Sequence, residues 1–353
     1  MMSRSLLTVT GVALLVIVCL GSFPAEARKP LVPRGVVIMS SGDQVVLVDP
    51  ASSGIRSLET GPVGFLFPAP GGVLFAPDVV NGRTGVIDLR SGRVVEMISG
   101  VTMPHFGPRR DRYLVVAGAL TMVSYPERSL IFRMDGEFDR PWQVQLGPEG
   151  MTVLILERRP SGEGGTTISA IDIMHRRVVY SKIFDHDLIH FAMAPSRGVM
   201  AVIDRTAGDV VLLDSMTLIE VRRLPVPDGA TDVVVLSDGK ELVVAGASGR
   251  LLRWALKVKS DALQVLTEDP IMIPGRTMRL AVGPDGRLVA AATDLGRLII
   301  VDSKKGDVIG EWEIPQALRD FQWVDSQQRG PLLPSWSDSG FGPEGADLGI
   351  EKK

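Results

Sequence analysis

Two histidines stand four residues apart in the segment His186-Asp187-Leu188-Ile189-His190. On a helix this spacing would place both imidazoles on one face, where they could bind zinc. The residues that follow, Phe191-Ala192-Met193, favour a β-strand, in which residues four apart lie about 13 Å from each other. We therefore expect His190 to be a hydrogen-bonded structural residue, unless a loop at His186 folds back and restores the pair.

A glycine-rich motif of the Gly-x-Gly-x-x-Gly type occurs at Gly340-Phe341-Gly342-Pro343-Glu344-Gly345. A dinucleotide site needs a strand before this motif and a helix that begins after it. The motif lies instead in a Pro-, Gly- and Ser-rich segment eight residues from the end, so we interpret residues 337–353 as a flexible tail. The sequence also contains no Gly-x-Ser-x-Gly or Walker-type motif.

The composition is that of a globular protein without a nucleic-acid-binding face. Hydrophobic residues make up 45% of the 353 residues and charged residues 22%, with a net charge of −3. Nucleic-acid binding requires a clustered cationic surface, and no basic block stands out in the sequence.

The N-terminus has the pattern of a signal peptide. A basic start with Arg4 precedes an apolar run from Leu6 to Phe23, and Ala25-Glu26-Ala27 ends in the small-residue pattern of a cleavage site. We predict cleavage after Ala27, which leaves residues 28–34 as a linker and no membrane span in the mature chain. An uncleaved membrane anchor is the alternative.

Cysteine usage indicates the compartment. Cys19 is the only cysteine and would be removed with the signal peptide; Val18 before it disfavours lipidation, which requires a small residue there. The mature chain would then have no disulfide, no thiolate metal ligand and no covalent haem attachment. Export without disulfides favours a bacterial periplasm or an extracellular location.

Two markers repeat along the chain with a step of about 40–47 residues. Short apolar runs end in Asp at intervals of 39, 84, 42 and 88 residues, the longer intervals being double steps. Turn segments of the Pro-x-x-Gly or Ser-Asp-Gly type keep a similar step and precede β-rich runs. The Asp residues are Asp49, Asp88, Asp172, Asp214 and Asp302, and the turns begin at Pro68, Pro108, Pro148, Pro195, Ser237 and Pro284.

Four strands in a unit of this length predict an all-β fold, a seven-bladed β-propeller over residues 35–336. Six blades are complete, and the seventh is divided between the chain ends. We expect Gly35–Glu59 to supply a third and a fourth strand, Asp320–Val324 the inner strand and Leu332–Trp336 a second strand. Closure between the N- and C-terminal strands removes exposed edges; a six-bladed ring is the alternative.

The repeat resembles the exported bacterial β-propellers of the YVTN and WD40-like group. The residues that carry the likeness are Pro284-Asp285-Gly286, the strand Val210–Asp214 and the segment Asp302–Asp307. The Gly-His and Trp-Asp pairs of typical WD40 repeats are missing, so the resemblance implies a fold and not a function.

Alignment of the inner strands on their turns places one polar or charged residue of most blades at the mouth of the central channel. We take five of these residues as candidate binding residues and expect Asp232 and Asp320 to pair with Arg279 if the set is only structural. The aligned positions are Val63, Met103, Gln143, His190, Asp232, Arg279 and Asp320, and the candidates are Gln143, His190, Asp232, Arg279 and Asp320.

No catalytic constellation, metal site or cofactor follows from these residues. Enzymes of this shape that bind calcium or a quinone generally use Asn as a ligand, and the only Asn here, Asn81, lies in a turn-like Asn81-Gly82. We therefore expect a non-catalytic exported propeller that binds an unidentified protein partner. The alternative is a small-molecule enzyme or redox accessory protein with its site in the channel.

Overall fold

Short β-strands joined by tight turns make up nearly all of the described chain. The computed structural model describes residues 34–325 except for 79, 100–102, 107–110, 117, 126, 128, 139–140, 148–149, 160–163, 237–238 and 260–261. The predicted signal peptide and most of the linker, the expected strand at Leu332–Trp336 and the tail at 337–353 lie outside these residues. Within the described ranges, helical structure is limited to one 3-10 turn at Pro195–Arg197, and none of it is long and apolar enough to cross a membrane.

The strands form seven antiparallel sheets of four strands each, so the predicted seven-bladed β-propeller is confirmed. From the innermost strand outwards, blade 1 contains β28 (Asp320–Val324), β1 (Val36–Ser41), β2 (Gln44–Asp49) and β3 (Gly54–Glu59), and blade 2 contains β4 (Phe67–Ala69), β5 (Val73–Asp78), β6 (Arg83–Asp88) and β7 (Arg93–Ser99).

The next two blades are built in the same way. Blade 3 contains β8 (His105–Phe106), β9 (Arg112–Val116), β10 (Gly118–Ser124) and β11 (Leu130–Phe138), and blade 4 contains β12 (Pro141–Leu146), β13 (Thr152–Arg158), β14 (Thr166–Asp172) and β15 (Arg177–Phe184).

The remaining three blades follow the same order along the chain. Blade 5 contains β16 (Leu188–Ala194), β17 (Val199–Asp204), β18 (Asp209–Asp214) and β19 (Glu220–Leu224); blade 6 contains β20 (Ala230–Val235), β21 (Glu241–Gly246), β22 (Arg250–Lys259) and β23 (Ala262–Met272); blade 7 contains β24 (Thr277–Val282), β25 (Leu288–Thr293), β26 (Arg297–Asp302) and β27 (Val308–Glu313).

Blade 1 closes the ring with strands from both ends of the chain. The inner strand β28 pairs antiparallel with β1, from Val36 opposite Val324 to Ser40 opposite Asp320. The indole Nε1 of Trp323 donates to the carbonyl of Arg34 at 2.9 Å, which fixes the two ends further. The expectation for Gly35–Glu59 was wrong in one respect: this segment supplies three strands, because β1 itself is the second strand and pairs directly with the C-terminal inner strand.

The hydrophobic core lies between adjacent blades. The middle strands are buried on both faces, and all six residues of β17 are buried, which explains why they appear in the sequence as continuous apolar runs. Between blades 4 and 5, for example, Leu154 and Ile168 pack in one buried cluster with Phe191 and Val202. The outermost strands alternate, as in β7, because only one of their faces meets a neighbouring blade.

The repeated Asp at the end of the third strand in five blades caps the turn to the fourth strand. Its carboxylate accepts a hydrogen bond from a backbone N–H two or three residues later, a local bond that Asp forms readily in turns. The distances from these N–H groups to the Asp oxygen are 3.0 Å for Asp49, Asp88, Asp214 and Asp302 and 3.1 Å for Asp172. The first repeat marker is therefore a turn-forming residue and not part of a ligand site.

Candidate binding site in the central channel

A central cavity of about 900 Å³ is lined by residues from the inner strands of all seven blades. Cavities of this size are typical of small-molecule sites, and they also accept a projecting loop of a partner protein. The five candidate residues identified in the sequence, Gln143, His190, Asp232, Arg279 and Asp320, all line this cavity.

A β-bulge near the start of the inner strand sets the common position of the candidates. In blades 4–7 one extra residue interrupts the pairing, and the next residue pairs with the second strand. A bulge re-aims the side chain that follows it, in this case into the channel. The pairs after the bulge are Gln143 with Leu156, His190 with Ile203, Asp232 with Ala245 and Arg279 with Ala292.

Blade 2 shows that the sequence alignment was wrong there by two residues. Val63 pairs with Asp78 in an isolated bridge, and this pair is equivalent to the pair Leu188 and Asp204 in blade 5, which precedes the bulge. Phe65 therefore holds the common position. The error arose because Pro68 lies within β4, and the turn of this blade begins at Pro70 instead. We define the mouth ring as the residues at this position, which are Phe65, Met103, Gln143, His190, Asp232, Arg279 and Asp320.

Three members of the mouth ring join neighbouring blades by hydrogen bonds to the backbone. The side-chain oxygen of Gln143 accepts from the N–H of Phe191 at 2.9 Å, and its amide nitrogen donates to the Phe191 carbonyl at 2.8 Å. Asp232 accepts from the N–H of Leu280 at 2.7 Å, and Asp320 accepts from the N–H of Leu66 at 2.7 Å. Each donor follows a mouth-ring residue of the next blade, so the contact repeats around the ring.

The two carboxylates receive further donors from their own strands. The second oxygen of Asp232 accepts from the N–H of Val233 at 2.8 Å and lies 3.2 Å from Nε2 of His190. The second oxygen of Asp320 accepts from the N–H of Phe321 at 2.7 Å. Burial raises the pKa of Asp320, although these N–H donors and nearby Arg279 oppose the shift. The hydrogen-bonding capacity of both carboxylates is thus largely used within the protein.

Two other mouth-ring residues, Phe65 and Arg279, are better placed to meet another molecule. Phe65 leaves 44% of its surface exposed although it stands at the same position as the buried Asp232. Arg279 is half-buried, and its Nη1 donates to the carbonyl of Met278 at 3.2 Å. Asp232 and Asp320 accept hydrogen bonds from backbone N–H groups and do not form the ion pairs with Arg279 that we expected for a structural set. Arg279 acts on Asp320 only through its charge.

Blades 2 and 3 give the channel an aromatic wall. Phe67 and His105 lie edge to face with their ring centroids 5.0 Å apart, and Phe106 packs against Tyr125 at 5.1 Å. Burial lowers the pKa of His105 to about 4, so its imidazole is neutral at physiological pH. The channel is therefore apolar on the side of blades 2 and 3 and polar on the side of blades 4–7.

The two histidines with zinc-like spacing contact different residues and do not form a pair. His190 lies in β16 and faces Asp232, as a structural histidine in an extended strand would. His186 lies in the bend before this strand, near enough to Asp204 to contribute to the lowered pKa of that carboxyl. Among the residues that the structure describes, no group of three His, Cys, Asp or Glu side chains is placed to hold a metal ion. The Gly340–Gly345 motif lies outside those residues.

The fold places the protein among the seven-bladed β-propellers, and comparison with solved structures shows which ones it is similar to. Hydrazine synthase of Kuenenia stuttgartiensis matches with a TM-score of 0.52 and 18% identity, over 69% of this chain and 77% of that one. A chain of the mitotic checkpoint complex matches with a TM-score of 0.55 and 14% identity, over 82% of this chain and 96% of that one. At such identities the likeness shows the fold alone.

The sequence comparisons add no closer relative. No protein-family model matches the chain, and no curated protein sequence matches it. The likeness to the YVTN and WD40-like group therefore stays at the level of the propeller fold.

Proposed function

We propose that this protein is a non-catalytic binding protein whose channel mouth recognises a partner protein. The observation that supports this function is the exposure of Phe65 in the mouth ring, where only the half-buried Asp320 position separates it from Arg279. Aromatic residues and Arg supply most of the energy in protein interfaces, whereas the inter-blade contacts occupy the neighbouring carboxylates. The ring thus presents one apolar and one cationic contact, two blades apart.

The chemistry of these two side chains indicates what the partner carries. A guanidinium has five N–H donors, and only one bond of Arg279, to the Met278 carbonyl, is internal in the described structure. A carboxylate of the partner can accept from the other donors, while an apolar side chain covers Phe65. We therefore infer that the partner inserts a loop that carries both an acidic residue and an apolar one.

We also propose that the protein works outside the cytoplasm. The support is the signal-peptide pattern up to Ala27 and the absence of cysteine after it. Intact-mass measurement on protein expressed with its N-terminus tests this: a mature chain that begins at Arg28 supports export, and a cytoplasmic fraction of full mass contradicts it.

Capture from an envelope extract of cells that express the protein tests the binding role. Immobilised wild type is compared with Arg279→Glu and Phe65→Ala, and with Arg222→Glu, a matched charge reversal at an exposed site on the outermost strand of blade 5. We expect a protein that binds wild type and Arg222→Glu but is lost with the two mouth-ring variants. An identical set of proteins on all four baits contradicts recognition at the mouth, and no specific protein on wild type contradicts the binding role.

A small-molecule enzyme or redox accessory protein is the second candidate function. The observation in its favour is the cavity of about 900 Å³ with the neutral His105 at an aromatic wall. Elemental analysis and an absorbance spectrum of the purified protein distinguish the two functions. A stoichiometric metal or chromophore favours the enzyme.

A further inference from the structure

The outermost strand of blade 4 differs in charge from those of the other blades. Of the seven outermost strands that the structure describes, β15 alone contains no Asp or Glu; its sequence is Arg-Val-Val-Tyr-Ser-Lys-Ile-Phe. The other six each contain at least one acidic residue, as in β27 with Glu311 and Glu313. Arg176 immediately precedes β15 and Asp185 immediately follows it, so this blade edge combines apolar and cationic side chains without a carboxylate in the strand itself.

The strand is also unusually exposed for its hydrophobicity. Six of its eight residues are exposed, and four of them are large hydrophobic residues: Val178, Val179, Tyr180 and Ile183. A β-bulge at Val179 explains the exposed run, because Val178 pairs with Ile171 and Tyr180 with Ala170. Among the described strands, β15 pairs with β14 alone, so its other edge carries backbone N–H and C=O groups that can pair with another strand.

We propose that β15 binds an extended acidic segment of a partner protein, which adds a fifth strand to blade 4. In this mode of binding, main-chain hydrogen bonds give affinity and alternate side chains give specificity. Valine or threonine residues of the segment would cover the exposed Val178 and Ile183. Its carboxylates would meet the exposed Arg177, in keeping with the rule that opposite charges across paired strands stabilise the pair. Lys182, whose Nζ donates to the Leu218 carbonyl of blade 5 at 2.9 Å, adds positive charge to the same strand.

Charge complementarity excludes a second copy of β15 as the favoured occupant. Antiparallel pairing of two identical strands would bring Arg177 and Lys182 of one copy close to the same cations of the other, and like charges across a strand pair are destabilising. Asp172, at the end of the adjacent strand, does not relieve this repulsion, because its carboxylate binds Nδ1 of His175 at 2.7 Å. This surface is separate from the mouth ring, so the proposal stands or fails independently of the proposed function.

Fluorescence anisotropy with labelled ten-residue peptides tests the proposal on the full chain. The acidic probe alternates valine or threonine with glutamate, and a lysine version serves as the charge control. Two further versions of the acidic probe carry N-methyl groups on alternate residues, one version on the odd-numbered and the other on the even-numbered residues. Each version keeps the charge but blocks the backbone hydrogen bonds along one edge of the peptide.

We expect saturable binding of the acidic probe, weak binding of the lysine probe, and loss of binding for at least one N-methylated probe. Arg177→Glu should weaken binding about tenfold, because it replaces an ion pair with a repulsion. The matched reversal Arg222→Glu in blade 5 should leave binding within about twofold. Thermal unfolding of both variants checks that they fold.

The proposal is overturned if wild type does not bind the acidic probe, if both N-methylated probes bind as well as the parent, or if Arg177→Glu binds normally. Sedimentation of the free protein measures its oligomeric state and tests whether a second copy binds β15. A concentration-dependent dimer that Arg177→Glu changes would identify a second copy as the occupant and would also overturn the proposal.

Discussion

Replacement of Asp232 by Asn separates the structural role of the mouth ring from a binding role. The carboxylate is almost fully buried; one oxygen accepts from the N–H of Val233 and the other from the N–H of Leu280 in the next blade. An Asn amide has a single oxygen and presents an NH2 group at the other position. One buried backbone N–H must therefore lose its acceptor in Asp232→Asn.

The expected cost follows from that one lost acceptor. A buried donor left without a partner costs about 1–3 kcal/mol, which is a substantial part of the roughly 5–15 kcal/mol that stabilises a typical domain. We expect urea unfolding of Asp232→Asn at pH 7 to show this decrease with an unchanged m value. Asp43→Asn is the matched control, because Asp43 is exposed, and its effect should stay within about 0.5 kcal/mol. An Asp232→Asn variant as stable as the control would refute the inter-blade role of the carboxylate.

Three other substitutions test closure of the ring and the ionisable groups. Trp323→Ala should cost about 3–5 kcal/mol in urea unfolding, because it removes a buried indole and its bond to the Arg34 carbonyl across the chain ends. Burial lowers the pKa of His105 to about 4, so between pH 7 and pH 5 the unfolded chain binds a proton that the folded chain does not. This costs about 2 kcal/mol over that interval, and His105→Gln should remove that part of the pH dependence. Burial opposes ionisation of Asp302, but hydrogen bonds from Arg287 and from two backbone N–H groups outweigh it and lower the pKa of Asp302 below 3.8. Asp302→Asn should therefore destabilise by about 1–3 kcal/mol at pH 7, with the difference decreasing as the pH falls below 3.8.

Each of these expectations has an opposite outcome. Unchanged stability of Trp323→Ala would contradict closure through β28 and β1. The His105 account is contradicted if wild type and His105→Gln show the same slope between pH 7 and pH 5, and the Asp302 account if its difference from wild type persists undiminished at acid pH.

The repeat, and therefore the fold, could be predicted because its signals are local. Each Asp marker caps a turn within three residues of itself, and each middle strand is buried on both faces and so forms an apolar run. Such features depend on neighbouring residues and can be recognised from the sequence. The closing strand at Asp320–Val324 was recognised for the same reason, from its apolar pattern.

The contacts of the mouth ring could not be predicted, because they join residues far apart in the chain. Gln143 contacts Phe191 across 48 residues, and Asp320 contacts Leu66 across 254. The sequence placed these side chains near the channel without their partners. Phe65 was missed for a different reason: Pro68 lies two residues before the Pro that begins the turn, and the alignment followed the wrong proline. Pro70, which is followed by Gly71 and Gly72, would have been the better guide to the turn.

The division of the mouth ring into residues that hold the blades and residues that face a partner is the central claim. Urea unfolding and partner capture, measured side by side on Arg279→Glu and Asp232→Asn, test it most directly. We expect Arg279→Glu to lose capture at a smaller cost in stability than that of Asp232→Asn, because it removes a favourable charge near Asp320 but leaves every inter-blade backbone hydrogen bond in place. If Arg279→Glu captures the partner normally, or is destabilised as much as Asp232→Asn, the division is wrong.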